Sequence, residues 1–161
     1  MLKYTDYEVV FREIPNKVTL AINISNCPNH CVGCHSPELR KNIGTELTND
    51  ELFRILKENS GINCICFMGE GRDIQRLTEI LKLLKEIYPF LETGLYTGSD
   101  EFDETVFQGN LDYLKIGHYD EKFGPIDKPT TNQRLYRLVD GGRRDITSLF
   151  WERPIKKNNR G

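Results

Sequence analysis

The 161-residue chain has no apolar run approaching the ~20 residues of a membrane-spanning helix. Neither sign of charge is in excess, with 22 Lys and Arg against 24 Asp and Glu for a formal net charge of −2. No overall field steers a polyanion, so neither a nucleic-acid partner nor a membrane is expected. Met1-Leu2-Lys3-Tyr4-Thr5-Asp6 lacks the apolar stretch and small-residue cleavage site of a secretory leader. A cytoplasmic protein is expected. There is no low-complexity segment, and no repeat beyond an alternation of strand and helix patterns. The chain also lacks the ~250 residues of a complete eight-fold barrel, and one domain over residues 1–161 is predicted. Its core spans about 7–140, with 141–161 as a C-terminal extension whose Arg153, Lys156, Lys157 and Arg160 read as a solvated tail.

Strand and helix patterns do alternate. Tyr7–Ile14 and Val18–Ile24 place apolar residues at alternate positions around Pro15-Asn16, which predicts a hairpin-like pair. Thr48 and Glu51 fit a capping box opening a helix to about Glu58. Residues 62–67 read as a buried strand, 74–88 as a helix ended by Pro89, 91–97 as a strand, 100–108 as a short acidic helix and 111–117 as a strand. Residues 123–131 read as a loop, Asn132–Val139 as a short helix broken by Gly141-Gly142, and Ile146–Trp151 as an apolar segment docked on the core. The fold class expected is α/β, with a mostly parallel sheet and right-handed crossovers.

Five cysteines are an odd number, and three crowd into Cys27-Pro28-Asn29-His30-Cys31-Val32-Gly33-Cys34. In a reducing compartment this argues for metal or redox chemistry over a disulfide framework. The spacing C-x3-C-x2-C lets one loop curl three soft thiolates around a common centre. Three ligands to a four-iron cluster leave one iron open, as a catalyst needs. A Cys3His zinc site using His35 or His30 is the alternative, as part of a zinc-stabilised binding module, although no second ligand pair follows at knuckle spacing. Cys64 and Cys66, two apart on a strand, face one side and read as core residues.

This motif, directly after the first core strand, resembles that of the radical S-adenosylmethionine (SAM) superfamily. More closely, Asn23-Ile24-Ser25-Asn26-Cys27 and Cys34-His35-Ser36-Pro37 resemble the activating proteins of anaerobic ribonucleoside-triphosphate reductases. Asp112-Tyr113-Leu114-Lys115-Ile116-Gly117 and Thr130-Thr131-Asn132-Gln133-Arg134 support that subfamily, and the likeness spans about Phe11 to Arg137. Gly33 stands where the wider superfamily often has an aromatic residue, as it does in these activators. The resemblance implies an incomplete parallel βα barrel preceded by an N-terminal strand or hairpin. It implies a [4Fe-4S] cluster on Cys27, Cys31 and Cys34, with SAM chelated at the fourth iron and cleaved to a 5′-deoxyadenosyl radical. That radical would take a hydrogen atom from a backbone glycine of the reductase large subunit, and flavodoxin or ferredoxin would supply the electron. Another glycyl-radical enzyme, or a small molecule, is the alternative target.

In a parallel βα sheet, function gathers in the loops after the strands' carboxyl ends. Met68-Gly69-Glu70 resembles the superfamily's Gly-Gly-Glu element, with Met68 in place of the first glycine, and Glu70 would accept from the SAM ammonium. Gly33, Cys34, His35, Met68, Gly69, Glu70 and Thr97 are the predicted SAM contacts. His118 and Lys115 lie at the same end of the pattern: His118 reads as a solvent-facing loop histidine before a substrate-orienting one, and Lys115 equally as a contact to an acidic cofactor group or as a partner or surface contact.

Overall fold

Thr48 starts the first helix as the capping pattern requires, its hydroxyl accepting the Glu51 amide at 3.1 Å. The other half of the capping box is absent, because the Glu51 carboxylate bonds Arg54 and the Tyr4 hydroxyl instead. A computed structural model of the chain describes residues 1–27, 41–140 and 142–151. In chain order they form β1 (Lys3–Val10), β2 (Thr19–Ile24), β3 (Thr45–Glu46), α1 (Asn49–Glu58), β4 (Cys64–Met68), α2 (Ile74–Ile87), β5 (Glu92–Tyr96), β6 (Tyr113–Ile116), β7 (Arg134–Val139) and β8 (Gly142–Asp145). Two 3-10 turns, Glu104–Phe107 and Thr147–Phe150, complete them. No helix among the described residues is long and apolar enough to cross a membrane.

The strands form one eight-stranded sheet in the order β3-β1-β2-β4-β5-β6-β7-β8. β2, β4, β5 and β6 run parallel as a contiguous block. β1 and β3 on one side, and β7 and β8 on the other, are antiparallel to their neighbours. The sheet is therefore mixed, where a mostly parallel one was expected. Alternate residues divide its faces. Leu20, Ile22, Ile24, Ile65, Phe67, Leu95, Leu114 and Ile116 pack with Leu52 and Ile55 of α1 and with Leu77, Ile80, Leu81 and Leu84 of α2. Cys64, Cys66, Tyr113 and Leu135 face the other way, beneath Ile14, Ile126, Ile146 and Phe150. Ile146–Trp151 docks as expected, with the Trp151 indole donating to the Ile126 carbonyl at 3.0 Å.

Three segments differ from the sequence expectation, each for a tertiary reason. Phe11–Ile14 does not extend the first strand: β1 ends at Val10, opposite Thr19, and residues 11–18 cross the helix-free face. Gly94 makes that crossing close, since a Cβ there would sit 3.2 Å from Cys66 Sγ and 3.4 Å from Ile14 Cδ1. Asn132–Val139 is not a helix, because Arg134–Val139 finds the open edge of β6 and pairs antiparallel, Lys115 opposite Leu135. Gly142 then opens β8. The acidic segment after β5 shortens to Glu104–Phe107, where Arg143 of β8 reaches across to Glu104 at 2.7 Å.

The amino-terminal ends of β5 and β6 are tied by an ionic network. Asp112 accepts from the Thr93 amide at 2.9 Å and pairs with Lys85 and Arg137, while Glu92 takes Lys17 at 2.6 Å and Arg137 at 3.1 Å. Asp112→Ala would orphan the buried Thr93 amide and remove the carboxylate shared by Lys85 and Arg137. It is expected to lower stability by about 2–3 kcal/mol in urea unfolding, and a loss below about 0.5 kcal/mol would show that the network is not coupled to the fold. At the opposite edge, Arg54 first and then Tyr4 hold the Glu51 carboxyl down at about 2, from its ordinary 4.5. A depressed carboxyl contributes stability above its unfolded pKa and loses it as pH falls through the folded one. Glu51→Gln should therefore flatten the stability curve between about pH 4.5 and 2. A carboxyl NMR titration of Glu51 with its midpoint near 4.5 would contradict the assignment.

Candidate functional site

Parallel pairing aligns four side chains in one row across the helix-free face. Asn23 lies opposite Met68, Met68 opposite Tyr96 and Tyr96 opposite Lys115, each at or next to the last residue of its strand. The loops that follow, at Ser25-Asn26-Cys27, Gly69-Glu70-Gly71, Thr97-Gly98-Ser99 and Gly117-His118, leave the sheet along this single edge.

The end of β2 is tightly bound. Ser25 donates its amide to the Lys3 carbonyl at 3.0 Å and its hydroxyl to the Ile43 carbonyl at 2.5 Å. Asn26 turns the chain in the left-handed region at φ 59°, and its amide donates to the Lys41 carbonyl at 2.8 Å. The flanks of segment 28–40 are thus joined, with Cys27 half-buried just beyond the turn. The glycine loop packs against the same place. Gly71, at φ 64°, lies so close that a Cβ would sit 2.8 Å from Leu2 Cδ1, 3.0 Å from Ile24 Cγ2 and 3.5 Å from the Ser25 carbonyl. Arg72 donates to the Asn26 side chain at 3.2 Å. Segments 46 residues apart in sequence meet here because glycine alone lets their backbones approach.

Glu70 is 5 % exposed. Its Oε2 accepts the Thr97 hydroxyl at 2.8 Å, while Oε1 is buried with no hydrogen-bond partner among the described residues. Such an orphan acceptor costs about 1–3 kcal/mol, and it fits a cationic donor such as an ammonium group. Lys115, 7 % exposed, donates to the Thr97 and Gly117 carbonyls at 3.4 and 3.3 Å and lies over the Tyr96 ring at 5.2 Å. Tyr96 in turn donates its hydroxyl to the Glu13 carbonyl, and burial pushes its phenol well above the ordinary range.

Further along the rim, His118 bonds Asp100 through both its amide, at 3.1 Å, and Nδ1, at 2.7 Å. The His118 ring, then its amide, hold the Asp100 carboxyl below the usual range. Asn132 donates to the His118 carbonyl at 3.1 Å and Gln133 to the Gly117 carbonyl at 3.2 Å. The two segments downstream of the cysteine motif, at 112–117 and 130–134, are therefore in direct contact.

Of the predicted site residues, Cys27, Met68, Gly69, Glu70 and Thr97 lie on this edge. Gly33, Cys31, Cys34, His35 and His30 lie outside the described residues. Among the described residues no three His, Cys, Asp or Glu side chains gather as metal ligands. Cys64 and Cys66 are fully buried, and burial pushes the Cys64 thiol up to about 12 and the Cys66 thiol well above its ordinary value. Both stay protonated near neutrality, as core thiols do. Met68 points away from the helices beside Tyr96, so only Gly69 and Gly71 serve as the loop's glycines. The Asp100 partner of His118 and the Arg72 bond to Asn26 were missed from sequence. Asp100 directly after a Gly98-Ser99 turn was the available signal for the first, and none marked the second. No protein-family model, curated protein or solved structure matches this chain.

The close approach at Gly71 is testable. Gly71→Ala meets both a left-handed backbone and a filled space, and should cost about 1–3 kcal/mol in thermal unfolding. Gly61→Ala, at φ 88° with nothing within 4 Å of its Cβ, meets strain alone and should cost less. Equal losses would show that the loop does not press on the end of β2.

Proposed function

We propose that the chain is a radical SAM activating enzyme that generates a glycyl radical on an anaerobic ribonucleoside-triphosphate reductase. One observation carries the reading: the C-x3-C-x2-C motif begins where β2 ends, against the glycine loop whose Glu70 keeps a buried carboxylate oxygen with no partner among the described residues. On this reading β2, β4, β5 and β6 are the core of an incomplete βα barrel with one side open to a protein substrate.

Reductive cleavage of SAM, and hydrogen-atom abstraction from a glycine, is the chemistry that a [4Fe-4S] cluster with SAM supplies when bound. Cys27, Cys31 and Cys34 are the thiolate ligands, and the Asn26–Lys41 hydrogen bond closes the base of the segment that carries them. Glu70 Oε1 accepts from the SAM ammonium. Gly69 and Gly71 let the backbone approach, and Gly33, Cys34, His35 and Met68 complete the contacts. The cytoplasm, which keeps thiols reduced, is the fitting compartment, and flavodoxin or ferredoxin the fitting class of electron donor.

The test is anaerobic purification with iron, sulfide and zinc counted together, followed by a SAM-cleavage assay. About four irons per chain and release of 5′-deoxyadenosine are expected, with the activity abolished in Cys31→Ala. Zinc at one per chain without iron would replace the reading with a zinc-stabilised binding module. SAM cleavage without a glycyl radical on the reductase would move the target to another glycyl-radical enzyme or a small molecule.

A further inference from the structure

Every polar group of Thr97 is engaged within the protein. Its amide donates to the Lys115 carbonyl at 2.9 Å, and its carbonyl accepts from Lys115 Nζ at 3.4 Å. Its hydroxyl donates to Glu70 Oε2 at 2.8 Å and accepts the Ser99 amide at 3.1 Å. The residue is 1 % exposed, so it presents no surface to a ligand. The hydroxyl has a single proton to give. With the Ser99 amide on its acceptor side, that proton is directed at the carboxylate.

We infer that Thr97 is a positioning residue rather than a SAM contact: it occupies Glu70 Oε2 and so presents Oε1 as the one acceptor for a primary ammonium group. The inference rests on the SAM-binding reading above. Lys115 is the anchor of the arrangement, joining the ends of β5 and β6 around Thr97 through the Thr97 and Gly117 carbonyls. Without the hydroxyl, Oε2 loses its donor and the carboxylate is no longer held with Oε1 turned to the ligand, so its hold on an ammonium group weakens. The loss should therefore be specific to ligands that carry the ammonium group.

The experiment is calorimetric titration of anaerobically reconstituted protein with SAM and with the SAM analogue lacking the α-amino group. Wild-type protein, Thr97→Val and Thr97→Ser are compared, with thermal melting as the control for folding. Thr97→Val is expected to bind SAM roughly tenfold to hundredfold more weakly, to bind the des-amino analogue as the wild type does, and Thr97→Ser to restore SAM affinity. Unchanged SAM affinity in Thr97→Val, or an equal loss for both ligands, overturns the inference. Thr97→Cys, which keeps most of the volume but donates weakly, gives an intermediate ammonium-specific loss and replaces the valine variant if that does not fold. Wild-type protein that holds four irons yet binds neither ligand overturns the SAM-binding reading itself, a result distinct from any difference among the variants.

Discussion

Parallel pairing of β2, β4, β5 and β6 in one register is the constraint on which the rest of the molecule depends. It sends the connections after these strands to one edge and leaves the opposite edge to stability. Asp112 and Lys115 belong to the same short stretch of chain and show the division. Asp112, just before β6, is absorbed by Lys85, Arg137 and the Thr93 amide. Lys115, one residue from the other end of β6, joins the backbones from which Glu70 is held through Thr97. The charges at one end hold strands together, and those at the other aim a carboxylate.

The same constraint separates two kinds of thiol. Cys64 and Cys66 lie within β4, buried beneath Ile14, where desolvation keeps them protonated. Cys27 lies just past β2, outside the hydrogen-bonded ladder and half-buried. Position relative to the strand ends thus divides the core thiols from the candidate ligand.

Much of this was legible in sequence, because local signals and tertiary packing agree there. The apolar runs at 62–67, 91–97 and 111–117 are strands of the parallel block, and the periodicities after Thr48 and Asp73 are helices. The edges were less legible. Arg134–Val139 carries enough helix-forming residues to read as a helix, and only the open edge of β6 makes it a strand. Ile14 looked like the end of a strand, and only the space over Gly94 shows why the chain leaves the sheet before it. At the site, Glu70 and Thr97 were legible as neighbours on one edge. Their hydrogen bond, and the Oε1 it leaves without a partner among the described residues, depend on side-chain directions that no spacing rule encodes.

The central claim is that the cysteine motif and Glu70 serve one ligand at the carboxyl edge of the sheet. Electron paramagnetic resonance of the reduced, anaerobically reconstituted protein tests it most directly. The account predicts a reduced [4Fe-4S] signal whose g-values shift when SAM is added, with Glu70→Gln needing a far higher SAM concentration for the same shift. A cluster signal indifferent to SAM, or a Glu70→Gln protein that responds at the wild-type concentration, would contradict it.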